Sequence, residues 1–322
     1  MLNLISTHMK AMILEEFGGV ENLKMVDIPT PTVAWDEVLV QVKAISINPV
    51  DVKARKGYSL NSILSKCKPV ILGWDISGVV VKTGSGVDQF GIGDEVFGMV
   101  NFMGHGKAYA EYVAAPAAHL VKKPKGISHS EAAASCLAAL TAWQAFTHFG
   151  KLKKGDRALI HAASGGVGHF AVQIAKYLGA YVIGTSSAPN RDFVLQLGAD
   201  EHIDYREQPF EKVVSDIDFC LEAMGRGNFG RSVEVVKQGG TIVNLPSGLT
   251  EEEKQKAQDK QLQGSFFMQV FSGREDMQVI ADMLEKGRLK PHISHTFPFD
   301  QLADAHRQVE SGRTVGKVLV TL

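Results

Sequence analysis

The chain has 322 residues, 45% of them hydrophobic, and a formal net charge of −1. That length accommodates two domains with separate cores, and the balanced charge supplies no basic field to draw in nucleic acid or an anionic membrane. No apolar run approaches the roughly 20 residues that a membrane-spanning helix needs, and MLNLISTHMK at the start lacks the basic flank, apolar core and cleavage site of a secretion signal, so a soluble, cytoplasmic protein without a membrane partner is expected.

The first third reads as β structure. EVLVQVKAISI (37–47) alternates, with Val38, Val40 and Val42 on one face; ISGVVVKTGSG (76–86) runs into a glycine turn; FGIGDEVFGMV (90–100) suggests two short strands around Gly-Asp; EYVAAPAAHLVKKP (111–124) is extended up to a proline. Short strands punctuated by glycine and proline predict a β-barrel-like domain. At SHSE (128–131) the pattern changes: Ser128 as N-cap and Glu131 three residues on form a capping box, and the alanine-rich segment that follows to Phe149 is too long for a strand and is expected to be helical.

Strands and helices then alternate. RALIHAA (157–163), YVIGTS (181–186), IDFCLEAM (217–224) and TIVNLP (241–246) read as strands, and 168–180, 191–199 and part of 225–240 as helices. This βαβα order implies a parallel sheet covered on both faces. TEEEKQKAQDKQ (250–261) mixes charge signs and reads as a solvated helix or loop. Helices are expected at 274–287 and 300–311, with a closing strand GKVLVTL (316–322). Cys67, Cys136 and Cys220 are scattered, which suits a reducing compartment and small buried apolar roles.

The densest signal is HAASGGVGHF (161–170), three glycines in four positions between a strand and a helix. A nucleotide turn is written G-x-G-x-x-G; the three places here are Ala163, Gly165 and Gly168. Gly165 lets the backbone approach a pyrophosphate, Gly168 lets the helix pack close to the strand, and Ser164, Gly166 and Val167 complete a cradle at a helix N-terminus, where N–H groups favour anions. The next strand separates the cofactors. Sites for NAD usually carry an acid at its end for the ribose diol. Here the chain reads Gly184-Thr185-Ser186-Ser187, with Arg191 following, and Tyr205 further on in HIDYREQ. Hydroxyls plus a guanidinium suit a 2′-phosphate, so NADPH is the expected cofactor.

NPVDVKARKGY (48–58), ILGWDISGVVVKTGSGV (71–87), GDEVFG (93–98), LAALTAW (137–143), AASGGVG (162–168) and LGADEHIDYRE (197–207) together resemble the medium-chain dehydrogenase/reductases, and within them the zinc-independent quinone oxidoreductase and enone (alkenal) reductase branch, over nearly the whole length. The resemblance implies an α/β fold in which a GroES-like β-barrel catalytic domain (1–127, completed by 270–322) is interrupted by a Rossmann domain, a doubly wound parallel sheet for NADPH (128–269). It also implies a homodimer. Where zinc alcohol dehydrogenases place Cys and His ligands, this chain has Ser46-Ile47-Asn48-Pro49-Val50-Asp51 and Gly73-Trp74-Asp75, and no cysteine lies in 95–115 for a structural zinc. His292 and His295, three apart after a proline in an expected loop, are a weak pair, and no metal is expected.

Without a Lewis acid, reduction of an already electrophilic substrate is expected: hydride transfer to a quinone or to the β-carbon of an α,β-unsaturated carbonyl. An enoyl-thioester substrate and a non-enzymatic NADPH-binding or sensing role are the alternatives. The resemblance sets Asn48 beside the nicotinamide, Asp51 ordering that network, Lys53 on the cofactor and Tyr58 as donor to the substrate oxygen; read alone, Asn48-Pro49 is a turn and Lys53 and Tyr58 a solvated helix face. Thr141 matches a threonine near the nicotinamide. Leu245 ends a strand at the ligand-binding edge of the sheet, and Phe266 and Phe267 wall the nicotinamide pocket or pack a core or interface strand.

Overall fold

The computed structural model describes residues 5–225 and 227–322. In chain order the elements are β1 (His8–Leu14), β2 (Leu23–Pro29), β3 (Glu37–Ile47), α1 (Pro49–Arg55), α2 (Asn61–Leu64), β4 (Val70–Ile71), β5 (Asp75–Thr83), β6 (Glu95–Met99), β7 (Tyr112–Pro116), β8 (Val121–Lys122), α3 (His129–Ala134), α4 (Leu137–Gln144), β9 (Arg157–Ile160), α5 (Gly168–Tyr177), β10 (Tyr181–Ser186), α6 (Arg191–Gln196), β11 (Glu201–Asp204), β12 (Ile217–Glu222), α7 (Asn228–Val235), β13 (Val236–Asn244), α8 (Glu251–Asp259), β14 (Gln263–Ser265), α9 (Arg274–Glu285), β15 (Ile293–Pro298), α10 (Leu302–Glu310) and β16 (Lys317–Thr321). The chain divides into two compact units, one made of residues 1–140 and 271–322, the other of 141–270.

The first unit is built around β3. A sheet runs in the order β15-β16-β3-β5-β6-β8, with β7 also paired to β3, and a small sheet β2-β1-β4 accompanies it. Val38, Val40 and Val42 are buried as their alternation requires, but Leu39, Ile45 and Ile47 are buried too. β3 is a central strand, paired with β5, β7 and β16 at its edges, and both of its faces are covered. β16 returns from the far end of the chain to lie antiparallel to β3, Val318 opposite Ile47. Only the second half of 90–100 is a strand, β6, since Asp94 Oδ2 accepts from the Gly91 amide at 2.9 Å and closes a turn.

The helix expected from 128 to 149 divides. Its N-terminus is the capping box expected, with the Glu131 amide donating to Ser128 Oγ at 3.2 Å and the Ser128 amide to Glu131 Oε2 at 2.8 Å. It stops at Ser135, resumes as α4, and closes in a wider π-type turn over Ala145–Phe149. Residues 128–140, expected with the Rossmann segment, belong to the first unit, where Ala133 and Ala134 pack with Ala44 and Leu319.

The second unit is a six-stranded sheet, β11-β10-β9-β12-β13-β14, parallel throughout. Counted along this segment the order is 3-2-1-4-5-6, a doubly wound sheet whose order reverses between β9 and β12. Its core includes Leu159, Ile183, Ile217, Phe229 and Ile242. β11 carries its buried apolar position at Ile203 alone, too short a pattern to show as a strand in the sequence. The tail elements α9, α10 and β16 lie where the pattern put them, but 292–295 holds the start of β15 rather than a loop, parallel to β16.

Candidate active site

In the first unit, the end of β3 hands the chain to α1 at Asn48, which has extended backbone angles (φ −124°, ψ 158°), while Pro49 begins the helix where its missing N–H costs nothing. The Asn48 amide donates to Asp51 Oδ2 at 2.6 Å. Its carboxamide is gripped at both ends: Nδ2 donates to Asp75 Oδ2 at 2.8 Å and more weakly to the Ser46 carbonyl at 3.3 Å, and Lys317 Nζ donates to Oδ1 at 2.5 Å. The other Asp75 oxygen accepts from the Leu137 amide at 3.0 Å. Strand register brings these groups together, since Asp75 faces Ser46 across β5 and β3, and Val318, next to Lys317, faces Ile47.

Asn48, Asp51, Asp75 and Lys317 are all at most 2% exposed. Burial therefore dominates their protonation. It pushes Asp51 up to about 8, with the neighbouring Asp75 charge adding to the rise, and Asp75 up to about 6 against the pull of Lys317. Burial likewise lowers the Lys317 ammonium, which both carboxyls support. One cation balances one carboxylate, so near neutral pH Asp75 is ionised and Asp51 holds a proton. Behind them the Tyr109 hydroxyl and His306 Nε2 are 2.9 Å apart, and burial holds His306 neutral, down to about 3.

The helix separates the remaining candidates of this segment. Lys53 projects into solvent from α1, and Tyr58 is 81% exposed. Tyr58 stands at an outer cavity of about 430 Å³ with Gly18, Arg55, Lys56 and Glu310, where Glu310 Oε1 pairs with both cations. Asn48 and Asp51 thus share one cluster, and Lys53 and Tyr58 lie outside it. The residues that complete the cluster, Asp75 and Lys317, were not singled out from the sequence; a lysine opening an otherwise apolar strand, GKVLVTL, was the available signal.

In the second unit, the glycine turn joins β9 to α5. The left-handed backbone falls on Ala162 (φ 50°), one residue before the place aligned with the first motif glycine. A Cβ on Gly168 would stand 2.0 Å from the Ala162 carbonyl oxygen, so no side chain fits there, whereas one on Gly165 meets that oxygen only at 3.1 Å. No side chain caps α5, and Gly166 and Val167 are half-buried. Ser164 and Ser187 both accept from Asn190 Nδ2, at 3.1 and 3.4 Å, and Ser186 Oγ meets His202 Nε2 at 2.8 Å. Arg191 is exposed beside Asp192, and Tyr205 is half-exposed. Asp204, the nearby acid, turns its oxygens to the backbone amides of Ala188 and Arg206. A close-approach turn, an uncapped helix start and a hydroxyl-lined corner with an unburied guanidinium fit a phosphorylated dinucleotide.

Elsewhere in this unit, Thr141 is buried in α4, Leu245 is half-buried and bonded through its amide to the Glu222 carbonyl, Phe266 packs edge-on to Phe229, and Phe267 is half-exposed. Among the described residues, the donors close enough to share a metal are His161, Cys220 and Glu222, within 4.8 Å. They are already engaged. His161 bonds Thr185 Oγ1 and Ser232 Oγ, and Glu222 accepts from Ser232, Asn228 and the amides of Met224 and Gly225. His295 stacks on Phe297 from an exposed strand position.

Two family profiles match the sequence. One, described as alcohol dehydrogenase GroES-like domain, covers residues 34–125; the other, described as zinc-binding dehydrogenase, covers residues 197–320. The chain is 34% identical to a 2-methylene-furan-3-one reductase of Solanum lycopersicum, over 98% of this chain and 80% of that protein. It is 32% identical to a chloroplastic NADPH-dependent alkenal/one oxidoreductase of Arabidopsis thaliana, with the same coverages. The solved structure of the quinone oxidoreductase from Coxiella burnetii superposes with a TM-score of 0.92 at 34% identity, over 98% of this chain and 99% of that one.

Two outcomes follow from the geometry. Because Asp51 has a raised folded pKa, about 8 against 3.8, its stabilising share is complete in acid and is lost as pH climbs from about 4 to about 8. Asp51→Asn is therefore expected to flatten the fall in Tm between pH 5 and pH 9 relative to the native protein, measured by thermal unfolding; parallel profiles would contradict it. Gly168→Ala is expected to lower Tm and to abolish the Tm rise that NADPH gives the native protein; an unchanged rise would show that the close approach at Ala162 is not part of the cradle.

Proposed function

The chain belongs to the medium-chain dehydrogenase/reductase superfamily, and from that premise we propose that it is an NADPH-dependent oxidoreductase that reduces a quinone or an α,β-unsaturated carbonyl without zinc. One observation carries the cofactor assignment: the corner past β10 offers Ser187 and Arg191 next to the buried, His202-bonded Ser186, and of its two acids Asp204 is spent on backbone amides and Asp192 lies against Arg191. Bound there, NADPH would supply the hydride. The chain's own residues then have to hold the phosphate, orient the nicotinamide, and stabilise negative charge on the substrate oxygen. We assign the first task to Ser186, Ser187, Arg191 and Tyr205, the pyrophosphate to the turn from Ser164 to Gly168, and orientation to Asn48 with Asp51.

Zinc independence is supported by the protein's own cation. Lys317 donates into the cluster formed by Asn48 and Asp75, so those oxygens already have a positive partner. Lys53, Tyr58, Thr141, Leu245, Phe266 and Phe267 keep the cofactor- and substrate-facing parts given to them by the resemblance. The same reading includes a cytoplasmic homodimer. β14 is the edge strand of the parallel sheet, with the half-exposed Phe267 just beyond it, a surface suited to a second copy.

The test follows NADPH absorbance against a panel of quinones, short enals and cyclic enones. Turnover of at least one class, with kcat/KM for NADPH at least tenfold above that for NADH, is expected; NADPH-dependent thermal protection without turnover would favour a binding protein instead. Arg191→Ala is expected to cut the NADPH-to-NADH ratio about ten- to a hundredfold, the loss of one charge-assisted hydrogen bond of about 1.5–3 kcal/mol, and comparable ratios before and after would remove Arg191 from the phosphate site.

A further inference from the structure

We propose that Lys317 and Asp75 are positioning residues that lock the Asn48 carboxamide in one orientation, leaving a single lone pair of Oδ1 as the only hydrogen-bonding valence that Asn48 can present to the nicotinamide. The inference rests on the assignment of Asn48 to cofactor orientation made above.

A carboxamide has two nearly isosteric states related by a half-turn, and its neighbours choose between them. Around Asn48 the choice is forced. Lys317 Nζ, a pure donor, lies 2.5 Å from Oδ1, and Asp75, an acceptor when ionised, lies 2.8 Å from Nδ2. Turning the group over would set an NH₂ against an ammonium and an oxygen against a carboxylate, in a site where all three residues are at most 2% exposed and water cannot screen either contact. The two charges are themselves fixed. Lys317 also reaches the Ile47 carbonyl at 3.4 Å, and the second Asp75 oxygen holds the Leu137 amide.

The count of valences then gives the consequence. Nδ2 has two hydrogens, one on Asp75 and one directed to the Ser46 carbonyl. Oδ1 has two lone pairs, one taken by Lys317. What remains is an acceptor, whose natural partner is the N–H of the nicotinamide carboxamide. Asn48 would therefore set the ring through the amide group it recognises, while Lys317 and Asp75 touch neither cofactor nor substrate.

The experiment is a double-mutant cycle on the full-length protein, using NADPH and the best acceptor from the panel, with Asn48→Ala, Lys317→Met and both together. Lys317→Met is expected to lower kcat at least tenfold while the Kd for NADPH changes less than threefold, Lys317→Arg is expected to restore most of kcat, and in the Asn48→Ala background Lys317→Met should have no further effect. Reduced 3-acetylpyridine adenine dinucleotide phosphate, which lacks the carboxamide N–H, should erase the difference between native and Asn48→Ala enzymes. Multiplying effects of the two substitutions would overturn the proposal while leaving Asn48 in the site; an Asn48→Ala enzyme with native kcat would overturn both. If Lys317→Met does not unfold cooperatively, Asp75→Asn carries the same cycle with the same expected non-additivity. The lock is also read without turnover: the Asn48 side-chain NH₂ protons should exchange slowly with D₂O in the native protein and at least tenfold faster in Asp75→Asn, and equal rates would refute it.

Discussion

A buried lysine ammonium holds the first unit of this molecule in order. Lys317 sits between the carboxamide of Asn48 and the last carbonyl of β3, with Asp75 completing its neutralisation. A buried charge of this kind contributes little net stability, because desolvation offsets the attraction. Its effect is specificity of arrangement: three chain segments, from β3, β5 and β16, must meet in one register or the ion is left uncompensated. Asp51 adds a second carboxyl, and since a single cation serves the pair, it keeps its proton and remains an uncharged partner to the backbone amide that opens α1.

The other unit is organised by a hydrogen-bond network around a buried histidine and glutamate. His161, Thr185, Ser232 and Glu222 form a chain of hydrogen bonds at the carboxyl ends of β9, β10 and β12, beneath the glycine turn. Burial keeps His161 uncharged despite the nearby Glu222 carboxylate. The strand ends that would border a dinucleotide are therefore tied to each other before any ligand arrives, which is the kind of preorganisation that reduces the entropic cost of binding.

Much of the second unit could be read from residue pattern, because each strand there is a short, continuous apolar run and each helix starts after a turn residue. The exceptions have local causes. β11 offers one buried apolar side chain, Ile203, between polar neighbours, and in the first unit β15 begins just after Pro291, where the proline suggested a loop. In the first unit the strands were visible but their partners were not, since the pairing of β3 with β16 joins residues 47 and 318. That distance explains why Asn48 and Asp51 could be named from a local motif whereas Lys317 could not. Lys53 and Tyr58 are near Asn48 in sequence, yet Lys53 on α1 and Tyr58 just beyond it stand exposed, apart from the buried cluster. The helix from 128 was overextended because alanine-rich composition does not reveal the break at Ser135, whose hydroxyl bonds back to the Glu131 carbonyl.

The return of β16 has a consequence for how the protein is made. Synthesis runs from the N-terminus, and domains generally fold as units while the chain emerges. Residues 141–270 all precede the segment that carries Lys317, whose ammonium completes the Asn48 cluster. The second unit can mature early, whereas the neighbourhood of Asn48 acquires its counter-charge only after the whole of that unit has been made. A nascent polypeptide not yet extended to β16 would thus carry Asp51 and Asp75 with no lysine between them, and the order around Asn48 would arise only when that strand docks.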